Sequence, residues 1–420
     1  MTSTRRKSLA PITVLIVIAV LINYVDRGNL ALAAPLLKSE WNLSASQIGI
    51  LLSAFFWTYM LCQIPAGWLI DRFDAGTALA VGFVVWTGAT AMTGLTWSFS
   101  SLFAMRLVLG AGESVVFPAS SKIYSECIQE KDRGLANGLV VAALHWGTAI
   151  GTLGGGFLMA RFGWRLTFVA TGLIALAWLP PWLRLKPRPL ARKPKQPLQL
   201  PALAAIAGLR QFWGASIGHG CSNHLLYFLL TWLPYYLVQE RHLSMTSMAG
   251  TAALLYALNS VSAIAAGWIA DLQIRRGAAV CSARKWSMTA GLLIAIVALM
   301  GCVSAGPRDY LVWLAALAVG TGSAGSGVWA MAQTLAGPSL AGRWAGMQNC
   351  VANISGVAGP ALVGVLVQRT GNFRSAFAVS AVFALAGVVA WVFGVRSSDA
   401  AKLLPEQVFT YPGADPIDNG

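Results

Sequence analysis

The sequence predicts an all-α polytopic membrane protein, with twelve transmembrane helices arranged in two pseudo-symmetric six-helix halves. The amino-acid composition, the spacing of charged residues and an internal repeat support this prediction. Of the 420 residues, 56% are hydrophobic and 11% are charged, whereas a soluble domain carries roughly 25% charged residues. This composition excludes a soluble enzyme, a fibrous protein and a disordered chain.

Long uncharged stretches recur along the chain, and each is long enough to cross a membrane. Examples are residues 41–70, 75–105 and 310–342, while a hydrocarbon core needs only about 20 helical residues. The predicted spans 1 to 12 are residues 9–36, 46–70, 77–97, 100–122, 134–160, 165–184, 208–238, 246–272, 285–305, 310–334, 343–368 and 375–395.

One long polar gap divides the spans into two sets of six. Residues 185–201 are basic and rich in proline, which is typical of a linker. We therefore expect an N-terminal half over 1–184, a cytoplasmic linker over 185–207, a C-terminal half over 208–396 and a cytoplasmic tail over 397–420. The motif Gly-Trp-Leu-Ile-Asp at the end of span 2 recurs as Gly-Trp-Ile-Ala-Asp at the end of span 8. This repeat supports two related halves.

The excess of basic residues has an explanation in membrane topology. The net charge is +15, and with twelve spans and both termini in the cytoplasm most of the Lys and Arg residues fall in cytoplasmic segments. No basic stretch carries interleaved aromatic residues, so nucleic-acid binding is not expected. The six cysteines are scattered without metal or redox spacing, and we expect no cofactor and no metal site.

Four charged residues lie deep inside predicted spans: Asp26, Arg27, Arg106 and Glu113. An ionisable group at this depth costs roughly 2.5–3.5 kcal/mol on insertion scales, so its presence indicates an ion or substrate pathway. Arg106 and Glu113 share one face of span 4, because they are about two helical turns apart. One interpretation is a buried ion pair that fixes span 1 against span 4. The other gives proton carriage to the carboxyl groups and anion binding to an arginine.

Several motifs in both halves resemble one known family. The chain is similar to the anion:cation symporter branch of the major facilitator superfamily, which includes bacterial proton symporters for galactonate, glucarate and hexuronates, and animal sialin and vesicular glutamate transporters. The residues that carry the resemblance are 23–30 (Asn-Tyr-Val-Asp-Arg-Gly-Asn-Leu), 57–59 (Trp-Thr-Tyr), 63–68 (Gln-Ile-Pro-Ala-Gly-Trp), Arg106 to Glu113, Phe117-Pro118, 230–234 (Leu-Thr-Trp-Leu-Pro), Trp329, Asn349 and Asn353.

The resemblance implies a proton-coupled symporter that imports a small organic anion, a sugar acid or related carboxylate, by alternating access. It implies the proton as coupling ion, and we expect a monomer in the bacterial inner membrane. Asp26 and Glu113 would carry protons, and Arg106 would tune Glu113. The implied substrate-binding residues are Arg27, Tyr59, Ser326, Trp329 and Asn349.

Span 5 departs from the galactonate type, which has Gln where this chain has Leu144. We expect the adjacent His145 to replace the amide as a substrate ligand. Titration with the proton cycle and a neutral packed histidine are the alternatives, and the roles of His219 and His224 stay open. The retained polar residues favour a hydroxylated monocarboxylate, whereas Leu144 and the Trp-rich interior leave room for an aromatic acid.

Two other functions remain as alternatives to symport. An uncoupled uniporter or an anion exchanger would use the same fold, with the carboxylates only holding its shape. A polytopic membrane enzyme would need a nucleophile or base constellation near one membrane face. The chain has neither an HExxH motif nor a usable GxSxG motif, so no enzyme is expected.

Overall fold

The computed structural model describes residues 3–187 and 203–395, and this part of the chain is built from helices. Most of the predicted linker and all of the predicted tail lie outside the described residues, so their boundaries stay predictions. Within the region predicted as linker, Leu203–Ala207 forms a short helix.

The described residues contain twelve membrane-crossing segments. Nine helical stretches are long and apolar enough to cross a membrane. Glu130–Leu185 and Tyr310–Thr370 each hold two crossings, because the helix breaks at Gly163 and Gly337. Both glycines have positive φ angles, 77° and 63°, a conformation that side chains with a Cβ atom rarely adopt. The more polar helix Arg210–Gln239, with 30 residues, supplies the remaining crossing.

The twelve spans follow the predicted order. Their helices are, from span 1 to span 12, Ser3–Trp41; Ala45–Arg72; Ala75–Thr93; Phe99–Glu113 with Val116–Cys127; the first part of Arg133–Ala175; its second part with Leu179–Leu185; Arg210–Gln239; Met245–Arg275; Val280–Ser304; the first part of Tyr310–Ala352; its second part with Ile354–Thr370; and Arg374–Val389 continued by a π-turn over Ala390–Gly394.

The outer surface of the helices is apolar, as a lipid-facing surface must be. Leu61 is 63% exposed and Ile174 is 73% exposed, and both lie within spans. Where helices begin in polar surroundings, side chains satisfy the free N–H groups of the first turn. Ser44 and Gln47 form a reciprocal capping box at the start of span 2, and Asp74 caps span 3. The starts of spans 2 and 3 are therefore capped by side chains outside the helix.

The two halves are joined at the membrane face to which the linker connects, which we call the linker side. Here Asp132 accepts a hydrogen bond from Arg275 at 2.6 Å. Deeper in, the buried amides of Asn137 in span 5 and Gln333 in span 10 bond each other reciprocally, at 3.1 and 3.2 Å. These contacts close the linker side between the halves.

The internal repeat makes equivalent contacts in both halves. Asp71 accepts hydrogen bonds from the backbone N–H groups of Gly342 and Arg343, at 2.9 and 2.8 Å, at the start of span 11. Asp271 accepts hydrogen bonds from the N–H groups of Gly134 and Leu135, at 2.8 and 2.7 Å, at the start of span 5. Each acidic residue thus caps a helix N-terminus of the opposite half, where a negative charge is stabilised.

On the opposite membrane face, the described hydrogen bonds of Glu40 and Glu240 stay within one half. Glu40 accepts hydrogen bonds from Trp164 and Arg165 in the N-terminal half, at 2.7 and 2.8 Å. Glu240 accepts one from the N–H group of Phe373 in the C-terminal half, at 2.8 Å. The structure therefore represents a conformation held closed from the linker side.

Candidate functional site

A buried ion pair lies in the middle of the N-terminal half. Arg27 of span 1 donates from Nε to Oε2 of Glu113 in span 4, at 2.9 Å. The Glu113 side chain is fully buried, and the Arg27 side chain is 12% exposed. Two buried atoms of this pair, Nη2 of Arg27 and Oε1 of Glu113, have no hydrogen-bond partner. The Nη2 group of Arg27, which carries two N–H donors, and one carboxylate oxygen of Glu113 are therefore not used within the pair.

Aromatic rings surround the guanidinium of Arg27. Its Cζ atom lies 4.4 Å from the ring centres of both Tyr24 and Tyr59, and 5.0 Å from that of Phe55. Cation–π attraction at such distances stabilises the charge and fixes the plane of the guanidinium. The rings come from spans 1 and 2, and Nη1 of Arg27 also donates to the hydroxyl of Tyr24 at 3.4 Å.

A hydrogen-bonded network connects this region to the C-terminal half. Asn349 of span 11 donates to the hydroxyl of Tyr59 at 3.4 Å. Asn353, one turn further along span 11, donates to the Oδ1 atom of Asn349 at 2.9 Å, and accepts from the hydroxyl of Tyr227 in span 7 at 2.8 Å. The structure thus brings together Arg27, Tyr59 and Asn349, three of the predicted substrate-binding residues.

Asp26 lies next to Arg27 in sequence but faces a different environment. Its carboxylate accepts a hydrogen bond from Thr90 of span 3 at 3.2 Å, and the residue is only 2% exposed. It also lines an apolar crevice of about 440 Å³ between spans 1 and 6. Asp26 and Arg27 therefore lie in separate surroundings, because consecutive residues of an α-helix point about 100° apart.

Arg106 packs against Phe55, one of the rings that also surround Arg27. Its Cζ atom lies 5.2 Å from the ring centre of Phe55, and its buried Nε atom has no hydrogen-bond partner. The direct partner of Glu113 is Arg27. The predicted tuning of Glu113 by Arg106 would therefore act through charge at a distance.

Trp329 of span 10 lies in an aromatic stack on the linker side of this region. Its ring is parallel to that of Phe117 in span 4, with centres 4.7 Å apart and planes 8° apart. His219 of span 7 meets Trp329 edge-on at 4.9 Å. Gln348 donates to Nδ1 of His219 at 3.3 Å, and its own carbonyl accepts from Trp344 at 2.8 Å. Phe117 and His219 therefore both contact the ring of Trp329.

The two remaining predicted residues have local partners. Ser326 donates to the carbonyl oxygen of Ser323 in its own helix at 3.0 Å. His145 places Nδ1 3.0 Å from the carbonyl oxygen of Val141, and its ring centre is 6.0 Å from that of Tyr256 in span 8. No described hydrogen bond joins either residue to the Arg27 cluster.

Residues outside the predicted set complete the site, among them Tyr24, Tyr227, Asn353, His219 and Gln348. Spacing could have indicated two of them, because Asn353 follows Asn349 by one helical turn and Tyr24 precedes Arg27 by three residues. The pairing of span 7 with span 11 has no signal in a single sequence.

A model of the Major Facilitator Superfamily matches residues 16–283, which is more than half of the chain. The chain belongs to the Major Facilitator Superfamily. This superfamily transporter is 28% identical to the D-galactonate transporter of Escherichia coli O6:H1 over 405 residues, which cover 90% of this chain and 94% of the relative. It is also 28% identical to the hexuronate transporter of Bacillus subtilis over 401 residues, covering 92% and 95%.

Solved structures of other transporters share the fold. The FucP transporter in the outward conformation aligns with a TM-score of 0.72 at 16% identity, over 91% of this chain and 98% of FucP. A bacterial homologue of the iron transporter ferroportin, in an outward-facing state, also aligns with a TM-score of 0.72, at 14% identity over 91% and 99%. The predicted fold class is confirmed, and the chain is a membrane transporter, not an enzyme.

Proposed function

We propose that this transporter is a proton-coupled symporter that imports a small organic anion, a sugar acid or related carboxylate, by alternating access. The observation that supports this proposal most strongly is the buried Arg27–Glu113 pair, with the Nη2 group of Arg27 left without a hydrogen bond. The relatives named as transporters of galactonate and hexuronate carry anionic sugar acids, and an arginine is suited to bind a carboxylate.

Competition for Arg27 would couple the proton to the anion. While Glu113 is ionised, its carboxylate occupies the Nε donor of Arg27. Protonation of Glu113 removes the negative charge and weakens this bond, which leaves the guanidinium free to bind a substrate carboxylate through two parallel N–H donors. Substrate binding and protonation would therefore favour each other.

Asp26 would carry a second proton, separate from the substrate. Its single described partner is the uncharged hydroxyl of Thr90, and an ionised carboxylate so buried is unstable without a cation. Charge from Arg106 would assist the return of Asp26 and Glu113 to their ionised forms. Protonation of both carboxyl groups would leave Arg27 and Arg106 as the embedded charges, and the bound anion would offset one of them.

Movement of one half against the other would carry the anion across the membrane. The Tyr59–Asn349 bond joins the halves at the depth of Arg27, so an anion at Arg27 would contact both. Opening of the linker side would require release of the Asp71 and Asp271 caps. We propose that the protein lies in the bacterial inner membrane with its linker side facing the cytoplasm. The transporting unit in this proposal is a monomer.

The experiment that tests this function uses purified protein in liposomes that contain a pH-sensitive dye. Sugar acids, hexuronates and short dicarboxylates are added one at a time at an acidic external pH. We expect substrate-dependent acidification of the lumen, which is lost in Glu113→Gln and Asp26→Asn. The matched control is Asp309→Asn, which removes a carboxylate from a loop at the opposite membrane face.

A uniporter or an exchanger gives a different result in the same liposomes. Labelled substrate would enter, or would exchange for internal anion, without acidifying the lumen. The Glu113→Gln and Asp26→Asn variants would then transport as well as Asp309→Asn. That result would make the two carboxyl groups structural and would contradict symport.

A further inference from the structure

A fully buried amide lies beside the ion pair without a hydrogen bond of its own. Asn23 of span 1 is 0% exposed, and neither its amide nitrogen nor its amide oxygen has a hydrogen-bond partner among the described residues. A buried amide without partners is rare, because it has lost its bonds to water and has gained none in return. Its presence beside an ionisable pair indicates a second state in which the amide is bonded.

Asn23 lies on the face of span 1 that meets Glu113. It precedes Arg27 by four residues, about one helical turn, so the two side chains share a face. Arg27 reaches Glu113 from this face, and Asn23 interacts with the same carboxyl group without a hydrogen bond of normal geometry. The Oε1 atom of Glu113 is itself buried and unpaired. Span 1 therefore presents two polar side chains to one carboxyl group.

We propose that Asn23 is a positioning residue that accepts a hydrogen bond from Glu113 once this carboxyl group is protonated. In this arrangement Arg27 holds the ionised form of Glu113, and Asn23 holds the neutral form. The inference rests on the proposed function, because it assumes that Glu113 takes up a proton when Arg27 turns to the anion.

A protonated carboxyl group needs a different partner from an ionised one. The carboxylate of Glu113 accepts a hydrogen bond from Arg27, whereas the neutral acid gains an O–H group that must donate. The guanidinium groups of Arg27 and Arg106 carry donors only, so neither can accept from this O–H group. The amide oxygen of Asn23 can accept, and it is unoccupied. Protonation would therefore replace the Arg27–Glu113 bond by a Glu113–Asn23 bond.

The ionisable groups that act on Glu113 come from spans 1, 4 and 7. They are Tyr24, Asp26 and Arg27 of span 1, Arg106 of span 4 and Tyr227 of span 7. The hydroxyls of Tyr24 and Tyr227 already have described partners, Arg27 and Asn353, and the carboxylate of Asp26 bonds Thr90. Asn23 differs from all of them because it carries no charge in either state. Its effect on Glu113 therefore depends on hydrogen bonding alone.

This bond would keep Glu113 away from Arg27 while the anion is bound. Without an acceptor the buried O–H group would stay unpaired, which costs free energy and favours a return to the ionised pair. Asn23 would therefore favour the protonated form of Glu113. It would help to set the pH at which Arg27 becomes free for the anion.

Asn29 offers a matched control on the same helix. It is also fully buried, and its amide atoms are also unpaired. It follows Arg27 by two residues, which turns its side chain about 200° away on the helix. Its Oδ1 atom lies beside Gly155 of span 5. Removing the Asn29 amide therefore reproduces the general cost of altering a buried amide at a place remote from the Glu113 face.

The test titrates Glu113 directly, in the full chain in lipid nanodiscs and without substrate. Infrared difference spectra record the band of protonated carboxyl groups as a function of pH, and the part that Glu113→Gln removes belongs to Glu113. In Asn23→Ala we expect the midpoint of this band to move to lower pH by about 0.5–1 unit, as the loss of one hydrogen bond implies. The band should also change in frequency. Asn23→Leu keeps the side-chain volume and should give the same shift, whereas Asn29→Ala should leave midpoint and frequency unchanged.

The outcomes separate the role of Asn23 from the proposed function. If the Glu113 band titrates with the same midpoint in wild type, Asn23→Ala and Asn23→Leu, the inference is overturned and proton carriage by Glu113 stands. An equal shift in Asn29→Ala would also overturn it, because the effect would then be general. A shift to higher pH would show that Asn23 stabilises the ionised carboxylate instead. The absence of any titrating band that Glu113→Gln removes would contradict the inference and proton carriage by Glu113 together.

Discussion

Arg27 and Glu113 form an ion pair through a single hydrogen bond, from Nε to Oε2 at 2.9 Å. An arginine–carboxylate pair that only holds two helices together gains most from two parallel bonds. Here Nη2 and Oε1 are both buried and unpaired, so the pair forgoes part of its own stabilisation. Such a pair is suited to exchange: Glu113 can take up a proton, and Arg27 can then bind a substrate carboxylate in its place.

Neutralising Glu113 should uncouple substrate binding from pH. In the wild type, acidic pH protonates Glu113 and frees Arg27, so the dissociation constant of the anion should fall as the pH falls. Glu113→Gln resembles the protonated form, and its affinity should stay high and constant from pH 5.5 to 7.5. Binding titrations on both proteins measure this, and an equally steep pH dependence in the variant would refute the competition model.

Replacing Arg27 by lysine should keep the positive charge but lose the planar pair of donors. A lysine ammonium cannot bind a carboxylate through two parallel bonds. We therefore expect the dissociation constant for the anion to rise about tenfold to a hundredfold in Arg27→Lys, as the loss of one charge-assisted hydrogen bond implies. Arg308→Lys, in a loop at the opposite face, is the matched control, and equal affinity in the two variants would remove Arg27 from the substrate site.

Asp26→Asn should abolish uphill transport while leaving exchange of substrate across the membrane. Asp26 makes its described hydrogen bond to Thr90, away from Arg27, so the variant should still bind the anion. Counterflow of labelled substrate in liposomes tests this, because it needs movement of the loaded carrier but no net proton transfer. If the variant lost both counterflow and substrate binding, Asp26 would act in the binding site itself.

Removing the charge of Asp71 or Asp271 should increase backbone opening at the helix start that each residue caps. A hydrogen bond to a charged group contributes about 1.5–3 kcal/mol, and Asp71 accepts two from the start of span 11. Asp71→Asn should speed hydrogen exchange of peptides over residues 338–346, and Asp271→Asn should do so over 133–138. Asp309→Asn, whose carboxylate bonds Gly306 within one half, should change neither region. Unchanged exchange in both cap variants would show that the caps do not hold the closed state.

The sequence predicts the number of spans and the place of the embedded charges because both follow from the cost of placing polar groups in lipid. That cost acts on each helix separately, so it can be read without knowing the partners. The same cost explains why the sequence reveals the repeated Asp71 and Asp271, since each acidic residue marks the end of an apolar span. Their shared role as caps of the opposite half becomes apparent only when the halves are packed together.

Contacts between distant spans could not be predicted from residue patterns. Helical spacing shows which side chains share a face, but not which helix lies opposite. Trp329 was expected in the substrate site, yet its stack on Phe117 and its support by His219 depend on the packing of spans 4, 7 and 10. The contact of His145 with Val141 similarly reflects the local geometry of span 5. The substrate roles of both residues remain predictions.

The most direct test of the account is accumulation of a labelled organic anion driven by a pH gradient alone. Liposomes start with equal anion concentrations on both sides and an external pH one unit below the internal pH, with the membrane potential clamped at zero. Coupling to the two protons of Glu113 and Asp26 predicts about hundredfold accumulation inside the wild-type liposomes, because one pH unit is a tenfold gradient for each proton. Glu113→Gln should show none. Equal internal and external concentrations in the wild type, reached at a measurable rate, would contradict proton-coupled symport.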